Sequence, residues 1–204
     1  MIMDKEVLKQ WSKMLQDLDP RAQMEALTQI GRAYFRPEVG PREKKDIKGA
    51  IRVKGPAKPG LPASLRDAIL EKLQAEDPRI RAEAALALVH WRDDEVINAI
   101  VEVLRRDPDT QVRMAAVHFV SLSQDERLMQ PLIEVLTKDK DELVRAAAVD
   151  TARTIQRKLS KQEERGAVRT RGDLITGLNR ALEEVKNTDP SSYVRYLAGA
   201  GIGG

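Results

Sequence analysis

The residue types that most often carry catalysis or bind metals are scarce in this chain of 204 residues. It has no cysteine, which excludes disulfides, thiolate metal sites and thiol catalysis. Its two histidines, His90 and His118, are 28 positions apart and fall in predicted helices, close to the faces expected to be buried. We interpret both as structural histidines, and we predict no metal site.

Histidine, tryptophan, arginine and aspartate stand together at one place, residues 90–94. That segment falls in a turn between two predicted helices, where Trp91 is well placed to close the end of the first one. The glycine-rich residues 199–204 follow a helix instead of a strand, so they lack the context of a phosphate-binding loop. No nucleophile with a base and no paired carboxylates can be identified. We therefore expect neither catalytic residues nor a cofactor.

A phrase of sequence that repeats every 32 residues is more informative. Each copy begins with an aspartate that can cap a helix, and it has an arginine four positions later. The aspartates are Asp77, Asp109 and Asp141, and the arginines are Arg81, Arg113 and Arg145. A fixed period of this size is typical of a solenoid built from stacked units.

Each repeated phrase opens a predicted helix, and another amphipathic helix precedes it. We call the helices that follow the aspartates B helices and those that precede them A helices. The pattern recurs at both ends of the chain, with Asp19 and Gln23 in one copy and Ser191 and Arg195 in the other. The A helices are predicted over residues 5–17, 65–75, 95–106, 126–138 and 173–186. The sequence thus predicts an all-α, right-handed α-α solenoid of five helix pairs, with residues 1–204 as a single domain.

The phrase Asp-Pro-x-Val/Ile-Arg-x-Ala-Ala resembles that of HEAT repeats, in particular the short prokaryotic form named after phycobilisome lyases. The resemblance covers nearly the whole chain outside two insertions. It implies a structural ladder in which the cap aspartates bond the arginines between stacked repeats. It also implies that the B helices line a concave binding face. Candidate residues on that face are Arg79, Glu83, Gln111, Met114, Glu142 and Asp150.

The period of 32 fails at two basic insertions, and both follow a B helix and precede an A helix. They span residues 36–62, rich in glycine and proline, and residues 157–172. Residues 36–60 carry a net charge of +5 and residues 157–171 a net charge of +4, whereas the rest of the chain carries −6. Since turns of this kind lie along one edge of a solenoid, we expect both insertions on the same edge. The candidate binding residues are Arg42, Lys44, Lys45, Lys48, Arg52, Lys54, Arg165, Arg169 and Arg171.

We predict a non-enzymatic protein–protein interaction module, an adaptor or an accessory subunit of a larger complex. It would bind a protein through the B-helix face and through the basic edge. One alternative is a nucleic-acid-binding protein that uses the insertions, although these lack aromatic residues for base stacking. A second is a bilin-lyase-like enzyme or chaperone, suggested only by the family name. A third is that the insertions are merely solvated loops.

The sequence also bears on where the protein acts. No apolar stretch is long enough to cross a membrane, and the first residues lack the layout of a signal peptide. We therefore expect a cytoplasmic protein without a membrane partner, and the oligomeric state is left open.

Overall fold

The computed structural model describes residues 4–33, 61–164 and 172–199. Within these ranges the chain forms ten α-helices and no β-strand. The helices are α1 (Lys5–Gln16), α2 (Pro20–Ala33), α3 (Ala63–Lys72), α4 (Pro78–Ala87), α5 (Asp94–Arg106), α6 (Thr110–Ser123), α7 (Met129–Lys138), α8 (Glu142–Glu164), α9 (Gly172–Thr188) and α10 (Ser192–Gly199). Short 3₁₀ helices, Leu88–His90 and Glu126–Leu128, follow α4 and precede α7.

The helices pair as the sequence predicts, with the odd-numbered ones as A helices and the even-numbered ones as B helices. The B helices pack side by side in chain order, α2 against α4, α4 against α6, α6 against α8 and α8 against α10. The A helices form the other layer, in which α5 contacts α7 and α7 contacts α9. The prediction of an all-α solenoid is confirmed.

The helices begin where an aspartate can accept hydrogen bonds from free backbone N–H groups. Asp77 accepts from Arg79 N, Asp93 from Val96 N, and Asp109 from the N–H groups of Gln111 and Val112. Pro78 occupies the first turn of α4, where no backbone donor is needed. Residues predicted as caps from their type and position therefore set the boundaries of the B helices.

Small residues on the B helices allow close packing between successive repeats. Ala84, Ala116 and Ala148 occupy the same position in three repeats, and all three are fully buried. Leu104 and Leu136 hold equivalent buried positions on the A helices. Every fully buried side-chain nitrogen or oxygen in the described part of the chain has a hydrogen-bond partner. The core thus runs along the stack as one continuous cluster.

Helix α8 is longer than the other helices because it continues to Glu164. The first eight residues of the predicted second insertion, 157–164, therefore extend this helix. Arg157 and Lys158 are exposed on it.

None of the helices described here combines the length and apolar character needed to cross a bilayer.

Candidate interaction surface

The arginines of the repeated phrase form buried, bidentate ion pairs between neighbouring repeats. Arg81 binds Asp107, Arg113 binds Asp139, and Arg145 binds Asp189. In each pair Nε donates to Oδ2 at 2.7–2.8 Å and Nη2 donates to Oδ1 at 3.0 Å. We call each of these arginine–aspartate pairs a rung. Paired, charge-assisted hydrogen bonds of this geometry fix the register between repeats.

Each rung also ties the two partners to their own backbone. Nη1 of Arg113 donates to the carbonyl oxygens of Asp107 and Pro108, at 2.9 Å and 3.2 Å. The carboxylate of Asp139 accepts from the backbone N–H of Asp141 at 2.9 Å. A rung therefore holds the turn before one B helix and the turn before the next B helix at the same time.

The ladder was predicted with the right arginines and the wrong aspartates. Asp77, Asp109 and Asp141 do not bind the arginines and instead cap α4, α6 and α8. Asp141 also accepts from the hydroxyl of Thr110 at 2.8 Å. The ladder carboxylates stand two positions earlier than the caps, because an extended residue at the end of an A helix points its side chain at the preceding repeat. Asp107 and Asp139 recur with the same period of 32, and that signal could have identified them.

The chain separation within a rung measures the insertion between repeats. Arg81 and Arg113 each lie 26 positions before their aspartate. Arg145 lies 44 positions before Asp189. The additional 18 positions arise where the second insertion interrupts the 32-residue period, so the ladder continues across it.

In the third rung, the pairing of Arg145 with Asp189 dominates the electrostatics. Burial raises the pKa of Asp189, but hydrogen bonds from Arg145 and from the Ser191 N–H outweigh it and hold the pKa below the usual value of 3.8. The hydrogen bond to Asp189 in turn raises the pKa of Arg145. Both partners are thus held in their charged forms.

The first interface lacks both partners of a rung. The position of the arginine is occupied by Gln23 and that of the aspartate by Ala75. Gln23 keeps one of the bonds, because its Nε2 donates to the Asp17 carbonyl oxygen. A hydrogen bond from Thr28 Oγ1 to Glu83 Oε2, of 3.2 Å, links α2 to α4 instead.

A groove crosses three B helices near this first interface. It has a volume of about 130 Å³ and spans α2, α4 and α6. Its lining comprises Thr28, Gly31, Arg32, Glu83, Leu86, His118 and Leu122. Gly31 lies where α2 approaches α4, since a Cβ built on it would come within 3.9 Å of the Ala87 Cα. The groove thus combines apolar surface with a carboxylate, a guanidinium and an imidazole.

The residues predicted for the B-helix face are distributed along three repeats, on α4, α6 and α8. Arg79 is exposed and forms an ion pair with Asp77, and Glu83 belongs to the groove. Met114 is half-buried, whereas Gln111, Glu142 and Asp150 are exposed. These residues belong to the B-helix layer, and nothing in the described structure assigns them a ligand.

The two histidines occupy different environments. His90 Nε2 lies 2.7 Å from the carbonyl oxygen of Ile30, and its ring meets that of Trp91 edge-on. This agrees with a structural role for His90. His118, which we expected near the buried face, is exposed and lines the groove, because it falls on the outer side of α6.

The segment of residues 90–94 serves to join repeats. Trp91 packs against the core. Asp93 caps α5 and also forms an ion pair with Arg66, in which Nη1 and Oδ2 are 3.2 Å apart. Burial raises the pKa of Asp93, but hydrogen bonds from the Val96 N–H and from Arg66 outweigh it and hold the pKa below its usual value. The described residues contain no group of three or more histidine or acidic side chains that could hold a metal ion.

The residues predicted for the basic edge lie outside the described part of the chain. They are Arg42, Lys44, Lys45, Lys48, Arg52, Lys54, Arg165, Arg169 and Arg171. Their role, and the shared edge of the two insertions, stay predictions.

Comparison with known proteins agrees with this architecture. Residues 66–153, from α3 into α8, match the family model described as HEAT repeats. The prediction of HEAT repeats is confirmed for this part of the chain, whereas the phycobilisome-lyase-like form is not supported by a match. No curated protein matches the sequence. A crystal structure of an engineered protein from the Northeast Structural Genomics Consortium is similar over 96% of this chain and 94% of its own, with 17% identity and a TM-score of 0.51. That similarity concerns the fold alone.

HEAT repeats are in general interaction scaffolds and not catalysts. The class that the stack defines is therefore that of helical-repeat proteins, which commonly serve as scaffolds for protein interactions.

Proposed function

We propose that this protein is a non-enzymatic adaptor that binds a protein partner across its B-helix layer, with the groove of α2, α4 and α6 as the centre of the contact. The observation that carries the proposal is the composition of this groove. Apolar carbon from Leu86 and Leu122 adjoins Glu83 and His118 within one depression. Protein interfaces typically combine an apolar centre with a small number of polar groups that set orientation.

The groove includes the α2–α4 interface, which is the one B-helix interface of the described stack where no arginine–aspartate rung joins the repeats, and it continues onto α6. Thr28 and Glu83, which are both half-buried, bridge α2 and α4 through a hydrogen bond of 3.2 Å. Side chains at the surface can turn toward a partner without breaking a buried ion pair. This interface is therefore better suited to binding than the three interfaces closed by rungs.

The basic insertions supply a second contact in this proposal. Their net charges of +5 and +4 favour an acidic surface on the partner. Because rim charges act mainly on the association rate, we expect the insertions to make binding depend on salt.

The proposal is tested by affinity capture from an extract of the source cells. The variants are His118→Glu, which places a second carboxylate in the groove beside Glu83, and a chain lacking residues 36–60. Asn98→Glu is the matched control, because it adds the same charge at an exposed position of the A-helix layer. We expect a stoichiometric protein with the wild type and with Asn98→Glu, and less of it with His118→Glu. A wild type that captures no protein, or equal capture by all variants, would contradict the proposal.

The nucleic-acid alternative has a separate test. Phosphate contacts are strongest at low salt, so a protein of that class should shift duplex or single-stranded probes in a gel at about 50 mM salt. Binding that then falls steeply with added salt would favour this alternative over the adaptor.

A further inference from the structure

The two ends of the described stack carry the two halves of a rung. At the start, Asp17 ends α1 in the same way that Asp107 ends α5 and Asp139 ends α7. All three are extended, with φ of −64°, −60° and −60° and ψ of 147°, 129° and 139°. Each carboxylate accepts from the backbone N–H two positions later, at 2.9–3.0 Å. Asp17 is therefore already shaped as the acidic half of a rung.

The other half lies at the opposite end, on α10. Arg195 Nη1 donates to the carbonyl oxygens of Asp189 and Pro190, as Arg113 Nη1 does to those of Asp107 and Pro108. In the complete rungs the remaining donors, Nε and Nη2, hold the carboxylate of the following repeat. Neither donor of Arg195 has a hydrogen-bond partner among the residues that the structure describes, and no ion pair to Arg195 is present there.

Asp17 is exposed, and like Arg195 it has no ion-pair partner among the described residues. By contrast, the carboxylates in the complete rungs are at most 7% exposed. One end of the stack thus presents an acceptor and the other end a donor, each in the conformation that the complete rungs show.

The end face of α10 also differs from a solvent-facing cap in its residue types. The position that follows the arginine is occupied by Ala82, Met114 and Ala146 in the inner repeats, where it is half-buried or buried. In the last repeat it is Tyr196, which is 69% exposed. Terminal repeats that only face water need a polar outer surface, whereas tyrosine is enriched at protein interfaces.

From these observations we infer that the α10 end of one copy docks on the α1 end of a second copy, with Arg195 binding Asp17 as a rung between molecules. The contact is heterologous, because the two surfaces differ. Repetition of such a contact produces either a closed ring or an open chain of molecules. The stack would then continue from one copy to the next with the register that the internal rungs set.

The experiment is sedimentation velocity of the full chain over a range of protein concentrations. Arg195→Gln removes the two free donors, and Gln23 in this same chain shows that glutamine retains the bond to the carbonyl oxygen six positions earlier. Asp17→Asn removes the charge and keeps an acceptor for the Asp19 N–H. Arg180→Gln and Asp173→Asn make the same chemical changes at exposed positions of α9.

We expect the wild type and both controls to form larger species as concentration rises. Arg195→Gln and Asp17→Asn should each weaken this association by about 30-fold or more, since each leaves an interfacial charge unpaired. Each variant keeps one intact end, so an equimolar mixture of the two should form a 1:1 dimer and nothing larger.

The mixture separates this inference from a loss of folding and from a symmetric dimer. A wild type that stays monomeric at every concentration would overturn it. So would association that both variants leave unchanged, or a mixture that behaves as either variant does alone.

Discussion

Arg113 and Asp139 form a bidentate ion pair across the interface between two repeats, and both side chains are nearly inaccessible to water. Their exposed fractions are 3% and 6%, and the two hydrogen bonds measure 2.8 Å and 3.0 Å. Arg113 belongs to α6, and Asp139 ends α7. A charged pair in such a place stabilises a single register, because a shifted one would leave both charges buried and unpaired.

Replacing Arg113 by methionine should strongly destabilise the stack. The substitution preserves most of the side-chain volume and leaves the carboxylate of Asp139 buried without its partner. Loss of one member of a buried pair costs about 3–5 kcal/mol, and we expect the free energy of unfolding to fall by that amount. Urea denaturation followed by circular dichroism measures it.

Arg79→Met is the matched control for that prediction. The Arg79 side chain is 73% exposed and binds only Asp77 of its own turn. The Arg79→Met substitution should therefore change the free energy of unfolding little. Similar losses for the two variants would contradict the buried role of Arg113.

A double-mutant cycle should show that Arg113 couples to Asp139 and not to Asp141. We expect a coupling free energy of at least about 1 kcal/mol for Arg113 with Asp139, and less than about 0.5 kcal/mol for Arg113 with Asp141. Asp141→Ala alone should still cost about 1 kcal/mol, because it removes the cap of α8. A larger coupling free energy for Arg113 with Asp141 than with Asp139 would instead support Asp141, the partner that the sequence suggested.

Installing a rung at the first interface should be possible with two substitutions. The Ala75 carbonyl oxygen accepts from Arg81 Nη1 at 2.8 Å, as that of Asp107 accepts from Arg113 Nη1 at 2.9 Å, so residue 75 has the backbone position of a ladder aspartate. Ala75→Asp alone should destabilise, because it places a carboxylate at the interface without a partner.

The pair Gln23→Arg with Ala75→Asp should be more stable than the sum of its single effects by about 1–3 kcal/mol. Thermal or urea denaturation of the four proteins gives this coupling. If the double variant changes the free energy of unfolding only by the sum of the two single changes, then α2 and α4 pack in a different register from the repeats that follow.

The third rung should make stability depend on pH in the acid range. The pKa of Asp189 in the folded protein lies below its usual value of 3.8. Its contribution to stability is therefore complete above about pH 4 and is lost as the pH falls through the folded-state pKa. We expect the urea midpoint of the wild type to decrease once the pH falls below about 4, and the midpoint of Asp189→Asn to decrease less.

Ser191→Ala serves as the control in that experiment. It removes the hydroxyl that accepts from Val194 N–H and leaves the Asp189 carboxylate in place. We expect it to lower stability at every pH while keeping the wild-type dependence on pH. An unchanged dependence in Asp189→Asn would be contrary to the proposed origin of the effect.

Local patterns in the sequence were sufficient to predict the helices and their pairing. A cap residue and the apolar periodicity act within a few residues, so Asp77, Asp109 and Asp141 could be assigned as helix starts without a structure. The interruptions of the period predict two insertions, and most of their residues, 36–60 and 165–171, lie outside the described part of the chain.

The partners of the arginines could not be derived in the same way. Two aspartates stand two positions apart before each of α6 and α8, and both are compatible with the repeat. Which of them meets Arg81 or Arg113 depends on the path of the turn and on the packing of the next repeat. The resemblance to known repeats suggested the cap, and the geometry selects Asp107 and Asp139.

By itself the sequence determined the repeating unit, because helix periodicity and capping are local properties of the chain. Tertiary structure alone decided which charges are buried together and which positions are left open. The groove beside Glu83 and His118 exists because three helices separated in sequence come together. Asp17 and Arg195 are half-rungs at the two ends of the described stack for the same reason, since only stacking shows that neither has, among the described residues, the partner found in the three complete rungs.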